Sequence, residues 1–159
     1  MKKNIFLSVL ISLISFLQFS CSSKKVSHKI TVASSGKIES LDPARANTIK
    51  AIQLLSSLGD TLYELNAEGE LLPELALGMP IYSKDGLQIT INLRENILFH
   101  DGTLLNSEAI KFTFDRFKRI GTMNYILGDK IKSIETPSEY QVLIKLKKPS
   151  SSLNGLLTS

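Results

Sequence analysis

Between Asp85 and Phe117 the spacing of apolar and polar positions changes period, and each change marks a structural element. Asp85-Gly86 is a turn dipeptide, and Gln88 to Leu93 after it alternates polar with apolar residues, many of them β-branched. That pattern predicts a half-buried strand. His100-Asp101-Gly102-Thr103 predicts a second turn. Asn106 or Ser107 is then placed to cap a helix whose Ile110, Phe114 and Phe117 fall at i, i+4 and i+7 on one face.

The same reading extends along the chain. Lys29 to Ala33 predicts a strand that breaks at Ser34-Ser35-Gly36, and Pro43 pushes Asp42 toward extended geometry to make a rigid corner. Thr48 to Leu58 predicts a helix with an apolar stripe at Ile49, Ile52 and Leu55, continued by Leu58 and Leu62. Gly59 weakens its end by roughly 1 kcal/mol. Gly69 marks a turn between Asp60–Leu65 and Leu71–Ala76, with Pro73 ending pairing before the next element. Ile81-Tyr82-Ser83 is expected to pair with the Gln88 strand across Lys84 to Gly86, while Gly121 to Tyr125 reads as loop. Ile131 to Ile134 and Tyr140 to Leu146 predict a hairpin around Thr136-Pro137-Ser138-Glu139. Val142, Ile144 and Leu146 fall on its buried face, Lys145 and Lys147 on the other. No internal repeat is visible.

The first twenty residues follow a different logic. Lys2 and Lys3 precede an apolar run, Ile5 to Phe19, that only Ser8, Ser12, Ser15 and Gln18 interrupt, and Ser20-Cys21-Ser22-Ser23-Lys24-Lys25 follows at once. The run is too short and too abruptly ended for a spanning helix, so residues 1–20 are expected to be a secretory signal peptide. Cys21 is the only cysteine, and at the end of such a run it is the expected site of lipidation, through a thioether to diacylglycerol. Gln18, where bacterial lipoproteins favour Leu, leaves simple signal-peptide cleavage as the alternative. Residues 21–28 form a polar tether and residues 29–159 the folded part. With no second cysteine, no disulfide framework forms.

Of 19 basic residues Lys2 and Lys3 belong to the leader, which leaves 17 against 15 acidic. The basic balance is therefore partly a targeting feature. The short lysine runs lack interleaved aromatics, so nucleic acid is not an expected partner. His28 and His100 lie far apart without i, i+4 partners, so no metal site and no cofactor is expected. There is no nucleophile elbow, no phosphate-cradling glycine loop and no carboxylate pair placed for glycoside chemistry. Asp101 and Glu108 are read as turn and helix-terminus residues, His100 as bonding backbone, and Arg94 and Arg116 as solvent-facing. The chain does not read as an enzyme.

The order of Asp85, Gly86, Leu93, Arg94, Phe99, His100, Asp101, Gly102, Thr103, Leu105, Glu108 and Arg116 resembles the dipeptide- and oligopeptide-binding proteins of ABC importers, solute-binding protein family five. Leu41-Asp42-Pro43 and the Gly69, Pro73, Leu75, Ala76 spacing resemble it too. Leu104 replaces the usual Pro, and Ala109 the usual Asp of the helix's first turn. Together these weaken helix entry by some tenths to about 1 kcal/mol.

The resemblance implies an α/β, mixed-sheet lobe of the type II periplasmic-binding-protein kind, truncated, since family members are several times longer. It implies a protein on the periplasmic side of the cell envelope that captures peptides, or in some variants nickel complexes, haem or sugars. The permease subunits of the membrane would be its partners, with ATP hydrolysed by another subunit. The loop after the first strand, here Ser34, Ser35, Gly36, Lys37 and Ile38, lines the ligand cleft in that family, and small residues there let a ligand backbone approach. The alternative is an envelope lipoprotein remnant without ligand binding.

Overall fold

The computed structural model describes residues 30–33, 35–122, 124–150, 155, 157 and 158. Residues 1–20, expected to be a leader, and Cys21, the expected lipidation site, lie outside them. The chain divides into two compact units, Met1–Ser35 and Gly36–Ser159. In the first, Ile30 to Ala33 carries no strand, and Ile30 and Val32 are 91% and 85% exposed. Alternation gives a segment strand propensity, but a strand exists only where a neighbouring edge accepts its ladder.

The second unit is built on a four-stranded antiparallel sheet. Its strands are β3 (Ile81–Tyr82), β4 (Gln88–Asn92), β5 (Ile131–Ser138) and β6 (Gln141–Leu146), in the order β3-β4-β6-β5. The expected pairing of Ile81 and Tyr82 with the Gln88 strand is present, at Thr90 and Ile89. Ile89 faces Ile144, which faces Ile134 on β5, while Ile91 faces Val142. These side chains form one buried row because the pleat sends alternate residues to one face.

A helix of 14 residues, Ser107–Ile120, covers that face with Ile110 and Phe114, while Phe117 is half-buried against the core. Asn106, of the two expected caps, accepts from the Ala109 N–H at 3.0 Å. The next residue, Ser107, is buried and donates from Oγ to the Ser138 carbonyl (2.7 Å) and from N–H to that of Glu139 (2.8 Å). The helix N-terminus thus supplies the donors that the β5–β6 turn needs.

Two expectations shift in detail. The β5–β6 turn sits at Glu139-Tyr140, later than expected, because β5 continues past a register irregularity to Ser138. Pro137 is tolerated there on an edge strand. Asn124–Lys130, partly expected as loop, is a helix with Leu127 buried. The break signal is real at Gly121 and Thr122, and Gly121 closes the preceding helix through its N–H to the Phe117 carbonyl (2.8 Å). A Cβ at Gly121 would lie 2.5 Å from that carbonyl oxygen and 3.0 Å from the Phe117 ring. Gly121→Ala is therefore expected to cost about 1–3 kcal/mol, read by urea unfolding.

Numbering the helices in chain order, α1 is Ile49–Leu55, α2 is Ser107–Ile120 and α3 is Asn124–Lys130. α1 begins where expected, with Thr48 capping the Ala51 N–H at 3.2 Å. Its apolar stripe does not face inward: Ala51 is buried, whereas Ile49 and Ile52 are 76% and 54% exposed. At seven residues the helix is oriented by its flanking attachments rather than by its stripe.

The hairpin of β1 (Tyr63–Leu65) and β2 (Leu71–Pro73) joins the same core through Tyr63, with Gly69 at φ +80° in its turn. Pro73 is the last residue of β2, paired with Tyr63, so the β1–β2 ladder ends at Pro73 as expected. Among the described residues no helix is long and apolar enough to cross a membrane.

Candidate functional site

Of the residues expected to line a ligand cleft, Gly36, Lys37 and Ile38 form one exposed stretch at the start of the second unit. Ser35 is exposed and ends the first unit, and Ser34 lies outside the described residues. Gly36 has φ +104°, a conformation that favours glycine. A Cβ there would also meet the Lys50 side chain at 3.0 Å. The stem of Lys50, on α1, therefore lies against the loop backbone at Gly36.

Six residues further on, the Leu41-Asp42-Pro43 corner is more than a turn. The Ala44 N–H donates to Asp42 Oδ1 (3.1 Å), and the Arg45 and Ala46 N–H groups donate to the Asp42 carbonyl, both at 2.9 Å. Its carboxylate also receives both ends of the Arg116 guanidinium, Nη1 to Oδ1 at 2.7 Å and Nη2 to Oδ2 at 2.5 Å. The two side chains are only 25% and 31% exposed, so Arg116 does not face solvent as expected. Two further bonds join the corner to the segment after α2: Thr122 N–H to the Ala44 carbonyl (2.9 Å) and Thr122 Oγ1 to that of Arg45 (3.4 Å). Arg94 is exposed as expected, and its guanidinium donates to the Ala76 carbonyl at 3.3 Å and the Pro73 carbonyl at 3.4 Å.

The Arg116 bond, aided by the Ala44 N–H and the Arg116 and Arg45 charges, holds the Asp42 carboxyl below its ordinary 3.8, at about 2, against the opposing effect of burial. A depressed carboxyl pKa contributes stability that is present above the ordinary value and lost as pH falls through the folded one. The corner is therefore expected to stay closed above pH 3.8 and to loosen between there and about pH 2. Amide exchange at Ala44 and Ala46, corrected for intrinsic rates, checks this.

A separate cleft of about 360 Å³ opens between the turn after α1, Ser56 to Asp60, and the segment Ile97 to His100. The expected Gly-centred turn follows that second wall: Asp101 Oδ1 accepts from the Thr103 N–H (3.0 Å) and hydroxyl (2.7 Å), and Gly102 sits at φ +84°. His100 is exposed at the rim. Leu104, in place of the resembled Pro, bridges to Leu98 across the turn. Glu108, in the first turn of α2, accepts from Thr136 Oγ1 at 2.5 Å. Among the described residues no group of three or more His, Cys, Asp and Glu side chains is placed to hold a metal ion.

Sequence reasoning missed Lys50 and the Asp42–Arg116 pair. Both residues of the pair stood in matched motifs, but 74 positions separate them and nothing local links them.

The antiparallel sheet and its covering helix are those of a type II periplasmic binding-protein lobe. NikZ from Campylobacter jejuni, solved in complex with Ni(L-His), superposes with a TM-score of 0.70 at 28% identity, over 77% of this chain and 25% of that one. The pheromone receptor PrgZ, described for its mode of peptide binding, gives 0.70 at 26% identity, over 76% and 27%. Residues 70–159 match the model of the bacterial extracellular solute-binding proteins, family 5 Middle, and the chain belongs to that family. The glutathione-binding protein GsiB of Escherichia coli O1:K1 is 33% identical over 131 residues, 81% of this chain. The chain spans about a quarter of the length of the curated relatives it matches.

Proposed function

We propose that this chain is the N-terminal part of an extracytoplasmic solute-binding subunit of an ABC importer, and that its solute is a peptide. It captures the solute outside the cytoplasmic membrane and passes it to permease subunits, with no chemistry of its own. Family membership carries the proposal. The peptide class is supported by the printed names of GsiB, whose ligand glutathione is a short peptide, and of PrgZ. The loop Ser34 to Ile38 lines the ligand site. Exposed backbone at Gly36 to Ile38, without bulk at Gly36, suits an extended ligand recognised through main-chain hydrogen bonds.

Residues 1–20 serve as the signal peptide, Cys21 carries the lipid, and residues 21–28 let the domain stand off the membrane surface on the periplasmic side. Cys21→Ala is expected to abolish incorporation of labelled fatty acid, and persistent labelling would remove the anchor from the account.

Thermal unfolding of the protein as its own gene produces it, with and without mixed short peptides, tests the binding proposal. A ligand that binds only the folded state at a hundredfold excess over Kd adds about 2.7 kcal/mol, so the melting temperature must rise. No rise with peptides, or a rise only with the nickel–histidine complex, rejects the peptide reading.

A further inference from the structure

We propose that Arg116 is a positioning residue for the ligand loop, acting through Asp42 to fix the conformation of residues 36 to 46. The inference rests on the binding role proposed for Gly36 to Ile38.

The loop is tied at both ends to helices of the second unit. At its start the Lys50 stem, on α1, lies against the loop backbone at Gly36, whose φ of +104° favours glycine. At its end, the Asp42 carboxylate is gripped by both arms of the Arg116 guanidinium. Between them the Asp42 N–H donates to Ser40 Oγ at 3.1 Å, and just beyond Asp42 the side chain of Ala44 is buried. Arg116 stands on α2, two residues past Phe114, whose side chain is in the core, so the guanidinium projects from a rigid base.

A planar fork meeting a carboxylate through two parallel bonds sets direction as well as distance. A lysine supplies only a point charge. Recognition through ligand main chain needs the loop backbone held in place before binding, because any ordering left to the binding step weakens affinity. The Thr122 bonds to the Ala44 and Arg45 carbonyls join the same corner to the other side of α2's end, which limits pivoting about the ion pair.

The test uses the intact gene product and four forms: parent, Arg116→Ala, Arg116→Lys and Asp42→Asn. Asparagine keeps an oxygen for the Ala44 N–H and removes the charge, so it separates the pair from the turn. Exchange of amides 36 to 46 is read by mass spectrometry, and affinity for mixed short peptides by calorimetry. Arg116→Ala and Asp42→Asn are each expected to speed loop exchange about tenfold and weaken peptide affinity by a similar factor, with the β4–β6 amides unchanged. Arg116→Lys should fall between. The double variant Asp42→Asn/Arg116→Ala should be no worse than either single one, because both remove the same interaction.

Unchanged loop exchange in Arg116→Ala, or additive single effects, overturns the inference while leaving peptide binding by the parent intact. Faster exchange with unchanged affinity overturns it too, since the pair is then structural only. A parent that binds no peptide overturns the binding role and the inference with it, and the two failures are told apart by the parent's own titration.

Discussion

Ile144→Ala is expected to lower the unfolding free energy of the second unit by about 2–5 kcal/mol, the range for emptying a fully buried branched site. Ile144 is at the centre of a three-strand row, facing Ile89 on one side and Ile134 on the other, and none of the three is more than 5% exposed. Strands on both sides hold the backbone, so the site cannot collapse into the space. Folded domains hold only about 5–15 kcal/mol in total, so this one change can take a large share of it. Urea unfolding followed by circular dichroism measures it, and Ile144→Val should cost only about 0.5–1.5 kcal/mol. A loss below about 1 kcal/mol for alanine would mean that the row is not the centre of the core.

Tyr63→Ala is expected to cost as much or more, about 3–5 kcal/mol. The residue is 0% exposed. Its hydroxyl donates to the Gly78 carbonyl at 3.1 Å, and its N–H donates to the Leu157 carbonyl at 3.2 Å. The ring therefore joins the β1–β2 hairpin to the core of the sheet. Tyr63→Phe keeps the ring and loses only the hydroxyl, which should cost about 1 kcal/mol because Gly78 is partly open to water.

Burial, aided by Tyr82, pushes the Tyr63 phenol up from 10.0 to about 12. Its contribution is full below pH 10 and lost as pH rises toward 12, so the parent should lose stability across that window more steeply than Tyr63→Phe. Equal alkaline profiles would contradict the burial of the hydroxyl.

The elements that could be read in advance are those whose signals are local. Period-two alternation placed β4 and β6, and the i, i+4, i+7 spacing of Ile110, Phe114 and Phe117 placed α2, because a ladder or a helical turn is specified within a few residues. Ile49 and Ile52 misled for the opposite reason. A helix of two turns gains too little from its stripe to choose its own orientation. Lys29 to Ala33 carries strand-like alternation, but a strand needs a partner, which no local pattern supplies.

The candidate site divides along the same line. Gly36 was legible as a small residue in a loop, but not as a positive-φ position against which the Lys50 stem lies. Asp42 was legible as a corner before a proline, but not as the partner of a guanidinium 74 residues away. Long-range pairs of this kind are set by packing of whole elements, and single-residue signals are blind to them.

The central claim, that the loop beginning at Gly36 touches the transported solute, is tested most directly by photocrosslinking. A benzophenone carried on a cysteine at Ile38, 43% exposed, is irradiated in the presence of radiolabelled short peptide, with Cys21 lipidated or replaced by alanine. The account predicts a labelled adduct at position 38 that unlabelled peptide abolishes by competition, and no competable adduct from a probe at the exposed Lys84. Competable labelling at Lys84 and not at Ile38, or no competable labelling at Ile38 by a protein that does bind peptide, would contradict it.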